Sequence, residues 1–295
     1  LTVVINTVTY AATVLADGTW SLGVPAADVG NWPAGTVNIT VSGATSAGNP
    51  VTITHPVTVD LAAVAISINT VSGDDVINAA EKGADLTLSG STSGVELGQT
   101  VTVTFGGKTY TATVAGDGSW TTSVPAADLA ALRDGDATVQ ASVSNINGNS
   151  ASAVHNYSID SSAPTIIINT VASDNIVNAS EADAGVTVSG STTAEAGQIV
   201  TVTLNSPTVQ TYQATVQADG SWSINIPAAD LEALTDGSHT LTATVNDKAG
   251  NPASTTHNLA VDLTVPVLTI NTIAGDDIIN AAEHGQALVI SGSST

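Results

Sequence analysis

Tyr110-Thr111-Ala112-Thr113-Val114-Ala115-Gly116-Asp117-Gly118-Ser119-Trp120-Thr121-Thr122-Ser123-Val124 is the stretch that decides the fold. Tyr110, Ala112 and Val114 alternate with threonines, and a tight turn follows at Gly116-Asp117-Gly118. Trp120, Thr122 and Val124 then form the inward set of the next strand. A period of two on both sides of an Asp-Gly, which tolerates the positive φ of such turns, predicts a β-hairpin. The pairing returns at Tyr10/Trp20 and Tyr212/Trp222, so one aromatic pair is expected to anchor each core.

Working outward, the whole chain repeats. Ile68-Asn69-Thr70-Val71-Ser72-Gly73-Asp74-Asp75-Val76-Ile77-Asn78-Ala79-Ala80-Glu81 recurs with small changes at Ile168–Glu181 and Ile270–Glu283. Pro125-Ala126-Ala127-Asp128 recurs at Pro25 and Pro227, and a late His/Asp pair recurs as His55/Asp60, His155/Asp160 and His257/Asp262. Two complete repeats, about 61–160 and 161–262, lie between a repeat lacking its beginning (1–60) and the beginning of another (263–295). A period near 100 residues is too long for a solenoid unit and is the size of an autonomous domain. The second repeat reads as seven strands, roughly 64–71, 85–91, 99–105, 108–115, 119–124, 137–144 and 151–159, with a helical turn from Ala126 to Leu132. That pattern predicts an all-β chain: tandem immunoglobulin-like β-sandwich domains in a linear array, without the cysteine pair of antibody domains.

Composition removes several function classes. Of 295 residues, 26 are acidic and 4 basic, for a net charge of −22. Three Lys and one Arg leave no footprint for nucleic acid, and an anionic membrane surface would repel the chain. Cys and Met are absent, which excludes disulfides, thiolate metal sites and thiol nucleophiles. No apolar run approaches the ~18 residues of a membrane span, so no membrane insertion is expected. No Gly-x-Ser-x-Gly, phosphate-cradling glycine loop or His-Glu-x-x-His occurs, and carboxylates that recur in every repeat suit a joint better than a catalytic centre.

The Asn-Thr-Val…Asp-Asp-x-Ile-Asn-Ala-x-Glu motif, the Asp-Gly-Ser-Trp hairpin, the Pro-Ala-Ala-Asp-Leu turn and the Asp247-Lys248-Ala249-Gly250-Asn251 loop resemble bacterial Ig-like repeats. Such repeats build giant non-fimbrial adhesins exported by type I secretion. The resemblance implies a secreted rod retained at the bacterial surface, with calcium at the joints between domains. Its partners would be a host cell-surface receptor or glycan, reached through the full-length protein, and the neighbouring repeats of the same chain. A rival reading makes the Ig-like domains themselves bind host glycan or protein. The first repeat departs from the pattern, reading Ala44-Thr45-Ser46-Ala47-Gly48-Asn49 without the carboxylate, so a joint using that loop should vary.

Alternation of strands places the loops. Asp74, Asp75, Asp134 and Asp136 fall at one end of the second repeat, where Asp160 leads into the third. Glu96, Asp117 and Asn145-Ile146-Asn147-Gly148-Asn149 fall at the other end, equivalent to Glu195, Asp219 and Asp247 of the third. Several carboxylates are therefore expected around Asp160. Like charges at close range repel, and calcium accepts six to eight oxygen ligands without needing His or Cys. Asp60, Asp160 and Asp262 stand at strand ends and are read as metal ligands. Asp74, Asp75, Glu81, Asp174, Glu181, Asp276 and Asp277 are further candidates, together with Asp247. Asp117 and Asp219 are candidates too, against the plainer reading of solvated turn residues.

His55, His155 and His257 share the inward face of the last strand and read as hydrogen-bonded structural residues, whereas His239 and His284 read as surface. Trp32, equivalent to Leu132 and Leu234, reads as core, as do Trp20, Trp120 and Trp222. Alone, residues 263–295 cannot bury Leu288 and Ile290, and 1–60 exposes strand edges. Strand addition between successive molecules is therefore one expectation; the other is that an intact parent chain covers both edges covalently.

Overall fold

A computed structural model describes residues 1–205 and 209–295. By their internal contacts they form two units. One unit comprises residues 1–75, 85–132 and 136–157, and the other residues 76–84, 133–135 and 158–295.

The first unit begins with β1 (Thr2–Ile5), β2 (Val8–Ala11), the helical turn α1 (Ala26–Val29), β3 (Gly35–Ala44) and β4 (Pro50–Val59). These strands make one antiparallel sheet in the order β2-β1-β3-β4. Val3, Ile5, Ala12 and Val37 are its buried core, with Trp32 packed against them as expected. Trp20 departs from expectation and is 42% exposed, and His55 is exposed. Among the described residues of this repeat one sheet is formed.

The second repeat adds β5 (Ala65–Ile68), β6 (Val76–Ile77), α2 (Ala79–Lys82), β7 (Leu86–Ser93), β8 (Thr100–Phe105), β9 (Lys108–Thr113), β10 (Ser119–Val124), α3 (Ala126–Leu129), β11 (Gly135–Ser144) and β12 (Ser150–Ile159). The seven expected strands are present. The two-residue β6 and the capped turn α2 are additional. One sheet runs β10-β7-β5, and the other contains β12-β11-β8-β9. Strict alternation in β8 turns Val101, Val103 and Phe105 inward and threonines outward. Phe105 stacks on Tyr157 at 4.9 Å. The deciding hairpin closes through Gly118, with φ of 82°, whose N–H donates to Ala115 O at 3.0 Å.

The aromatic pairing resolves differently from its reading. Trp120 is 2% exposed and its indole lies against Gly90 of β7. Tyr110 instead donates its hydroxyl to Asp128 at 2.7 Å, tying the hairpin to α3. The bond recurs as Tyr10–Asp28 at 2.9 Å and, in the second unit, as Tyr212–Asp230 at 2.6 Å. The spacing is 18 residues each time.

The second unit holds the third repeat: β13 (Ile166–Ile168), β14 (Ile176–Asn178), α4 (Ala179–Ala184), β15 (Val186–Thr192), β16 (Ile199–Asn205), β17 (Gln210–Thr215), β18 (Ser221–Ile226), α5 (Ala228–Glu232), β19 (Gly237–Asn246) and β20 (Pro252–Asp262). Its sheets run β13-β15-β18 and β14-β20-β19-β16-β17, so β14 joins β20 in parallel and the rest is antiparallel. Between them lies one core containing Trp222, Leu204, Leu231, Leu241 and Leu259. His239, expected at the surface, is 8% exposed and bonds Thr235 O at 2.8 Å, because its position on β19 faces inward. β21 (Leu268–Ile270) pairs with β22 (Gly292–Ser294), leaving Leu288 and Ile290 44% and 65% exposed. Among the described residues, no helix is long and apolar enough to cross a membrane.

The four tyrosines supply a pH prediction. Burial, reinforced by Asp128, pushes Tyr110 up to about 12 from an ordinary 10.0, and burial alone takes Tyr157 to about 12. Burial and the Asp partners also raise Tyr10 and Tyr212. A raised folded pKa contributes stability that is complete below the unfolded value and is lost as pH rises through the folded one. The folded chain is therefore expected to show little tyrosinate absorbance at pH 10, where the guanidinium-unfolded chain is half ionised. Matching spectra at that pH would refute it.

Candidate metal centre

The loop 247–251 is built by its own side chains. Asn251 N–H donates to Asp247 Oδ1 at 2.8 Å, and Gly250, with φ of 91°, donates to Asp247 O at 3.1 Å. Asp247 is 7% exposed and Asn251 is 1% exposed. A buried amide must use its polar atoms within the protein, and Asn251 does so across two repeats. Its Nδ2 donates to Asp247 Oδ2 and to the Asp160 carbonyl, both at 2.9 Å. Its Oδ1 accepts from Ala79 N at 2.8 Å. All of these residues belong to the second unit.

Around them the end of the second repeat is laced together. Asn78 and Glu81 form a reciprocal capping box on α2, so Glu81 satisfies the Asn78 N–H at 3.0 Å. Lys82 donates to Ser161 at 3.1 Å and lies 3.8 Å from Asp134. Ser161 and Ser162 donate to Asp134 at 2.7 and 2.8 Å, and these bonds hold its carboxyl below the usual range. Glu195, from the third repeat, accepts from Lys248 N at 2.8 Å.

The donor set suits a hard cation. Among the described residues, no Lys, Arg or His forms an ion pair with Asp247 or Asp160. Both Asp247 oxygens and the Asp160 carbonyl accept N–H groups of Asn251, and carboxylate and carbonyl oxygens of this kind are the ligand type calcium accepts. Asp160 Oδ1 accepts from Ser162 N at 3.2 Å.

A second joint of different make lies within the first unit. Asp60 Oδ1 accepts from Ala62 N at 2.8 Å, while Oδ2 accepts from Asn147 Nδ2 at 2.7 Å and Asn145 Nδ2 at 3.4 Å. Asn149 Nδ2 reaches the Asp60 carbonyl at 3.3 Å. The Ala62 amide, followed by the Asn147 side chain, lowers the Asp60 pKa. Glu96 accepts from Ile146 N at 2.9 Å, as Glu195 does from Lys248.

The other candidates hold local structure. Asp117 and Asp219 each accept the backbone N–H and hydroxyl of a serine two residues on, and these bonds lower both pKa values. Asp75 sits at φ of 66° and accepts from Val71 N at 2.7 Å. Its Oδ1 is also 2.6 Å from His155 Nε2, and that bond, the first cause, lowers its pKa. Asn175 takes the same place at φ of 67°, bonding Val171 N at 2.9 Å and His257 at 2.7 Å. Asp and Asn tolerate the left-handed region better than other non-glycine residues, so that position serves the turn with or without charge. Asp277 repeats the turn through Ile273 N, and Asp174 and Asp276 cap Ile176 and Ile278. Glu181 closes a second capping box with Asn178, and Asp262 accepts from Thr264 N at 3.2 Å. Asp74 lies in the turn ahead of β6. Among the described residues, no three His, Cys, Asp or Glu side chains converge on a common point that could hold a metal.

Asn145, Asn147, Asn149 and Asn251 were not among the candidate ligands, yet they make the joints. The signal for Asn149 and Asn251 was the Gly-Asn pair that recurs at Gly48-Asn49, Gly148-Asn149 and Gly250-Asn251; Asn145 and Asn147 have no such recurrence.

With fold and joints in hand, the family follows. A family model described as a bacterial Ig-like domain matches residues 162–263. A solved bacterial immunoglobulin-like domain from the M. primoryensis ice-binding adhesin is 34% identical, covering 33% of this chain and 95% of that one, with a TM-score of 0.27. The chain belongs to the bacterial Ig-like domains.

Longer relatives are adhesin segments. A Ca2+-stabilized adhesin that helps an Antarctic bacterium reach out and bind ice is 34% identical over 100% of this chain and 73% of that one, with a TM-score of 0.49. A structure addressing host cell surface retention of a 1.5-MDa bacterial ice-binding adhesin is 33% identical over 89% and 86%, also at 0.49. None of the curated proteins compared matches the chain.

Proposed function

We propose that this chain is a length of shaft from a secreted, surface-retained bacterial adhesin, exported by type I secretion and serving attachment to host cells. Its role is mechanical rather than catalytic. Domains of residues 61–160 and 161–262 succeed one another, and calcium stiffens the joint between them. The observation carrying this reading is Asn251, whose buried amide spends its donors and acceptor on Asp160 and Ala79 of one repeat and Asp247 of the next. A flexible linker has no use for such a residue. Asp160 and Asp247 would hold the ion with neighbouring carbonyl oxygens, and bound calcium would supply a positive charge beside two carboxylates that no Lys, Arg or His pairs with among the described residues. The adhesin relatives support the reading.

Small-angle scattering of the whole chain tests it. Calcium is expected to increase the maximum dimension relative to chelator, and Asp160→Ala to remove that response while the sandwiches still melt cooperatively. A response that persists unaltered in Asp160→Ala would place calcium elsewhere.

A further inference from the structure

Asn147-Gly148 is the one Asn-Gly dipeptide in the chain. It lies at the tip of the loop between β11 and β12, and both residues are exposed. The turn itself does not need the asparagine. A glycine of positive φ follows this position in every repeat, Gly48 at 82°, Gly148 at 92° and Gly250 at 91°. Each donates its N–H to the carbonyl three residues back. The residue before that glycine is Ala47 in the first repeat and Ala249 in the third. What Asn147 adds is its side chain, whose Nδ2 donates to Asp60 Oδ2 at 2.7 Å.

We propose that Asn147-Gly148 is a site of spontaneous deamidation that acts as a one-way release for the contact between Asp60 and the 145–149 loop. The Gly148 backbone nitrogen, having lost its proton to solvent base, bonds to Asn147 Cγ. The Cγ–Nδ2 bond then breaks, and Nδ2 leaves as ammonia with a proton taken from water. A cyclic imide remains, which water opens at either carbonyl to aspartate or isoaspartate. Glycine permits the attack because no Cβ shields its nitrogen.

In the folded loop both reacting atoms are engaged. The Gly148 N–H is held on Asn145 O at 3.1 Å, and Nδ2 is held on Asp60. Reaction therefore follows local opening, and its rate registers how often the contact is broken. The product cannot restore that contact. A neutral donor becomes a carboxylate beside the Asp60 carboxylate, and like charges at close range repel. Asn145 and Asn149 keep only the longer bonds to Asp60, at 3.4 and 3.3 Å. Ala47 and Ala249 offer no amide to lose, so the release belongs to the loop of the second repeat.

The test is to incubate the whole chain in mildly alkaline buffer and map it by peptide mass spectrometry. Asn147 is expected to convert ahead of every other asparagine, and several-fold faster in Asp60→Ala. Hydrogen exchange of β11 and β12 matching the parent shows that this variant is folded; if it is not, Asp60→Asn, which keeps an oxygen acceptor without the charge, takes its place. Asn147→Asp reproduces one product and should raise hydrogen exchange at the Ala62 amide, which donates to Asp60 at 2.8 Å in the parent, and across 145–149. Asn147→Ala, which removes the donor without adding charge, should raise it less. Conversion spread evenly over the asparagines, or a rate at Asn147 that neither Asp60 variant changes, would overturn the site. Exchange in Asn147→Asp equal to that of the parent would overturn the release.

Discussion

Gly190→Ala is expected to destabilise the third sandwich strongly while leaving the second unaffected. Gly190 is central in β15, between β13 and β18, in register with Ile168 and Trp222. A Cβ there would overlap the Ile167 carbonyl oxygen and lie 2.7 Å from Trp222 Cε2. One neighbour is backbone, and the other is an indole 2% exposed at the centre of the core, so no rotamer change relieves the overlap. Overpacking of this kind costs roughly 3 kcal/mol or more, a large part of the ~5–15 kcal/mol by which domains are stable. Hydrogen exchange should show protection reduced across residues 166–261 and kept across 65–159. Gly90→Ala should do the reverse, because its Cβ would meet Ser67 O and Trp120 in the same way. Unchanged protection in either variant would show that the sheet yields.

Calcium is expected to raise the melting temperature substantially. The chain carries −22 and only four basic residues, and buried Asp247 has no cationic partner among the described residues. An ion bound only by the folded form adds RT ln(1 + [L]/Kd), ~2.7 kcal/mol at 100-fold over Kd. For a domain of ~100 residues that corresponds to roughly 10–20 °C. General screening would act through ionic strength alone, so sodium chloride at matched ionic strength is the control. Midpoints that agree in chelator and millimolar calcium would sink the metal reading.

Local pattern carried most of the fold. Alternation in Thr100–Phe105 and in the Tyr110–Val124 hairpin specified which side chains turn inward, because successive residues of a strand face opposite sides. The recurrence of fourteen-residue motifs, visible without coordinates, gave the tandem order. It did not give Trp20. That residue shares its motif with Trp120 and Trp222, yet is buried only where a second sheet brings a glycine beneath the indole.

The joints were half legible. The sequence put Asp60, Asp160 and Asp247 at the ends of repeats, where loops meet, and supplied the excess negative charge that makes a cation the natural counterpart. It also fixed the strands, the hairpins and the family motifs, because each of these rests on residues close together in the chain. Only the tertiary structure showed that asparagines do the joining and that Asp75 and Glu81 serve a turn and a cap. Ala79 and Asn251 are 172 residues apart, and no periodicity records which loop end will face which helix end. That is settled when the sandwiches close and their buried polar groups must find partners.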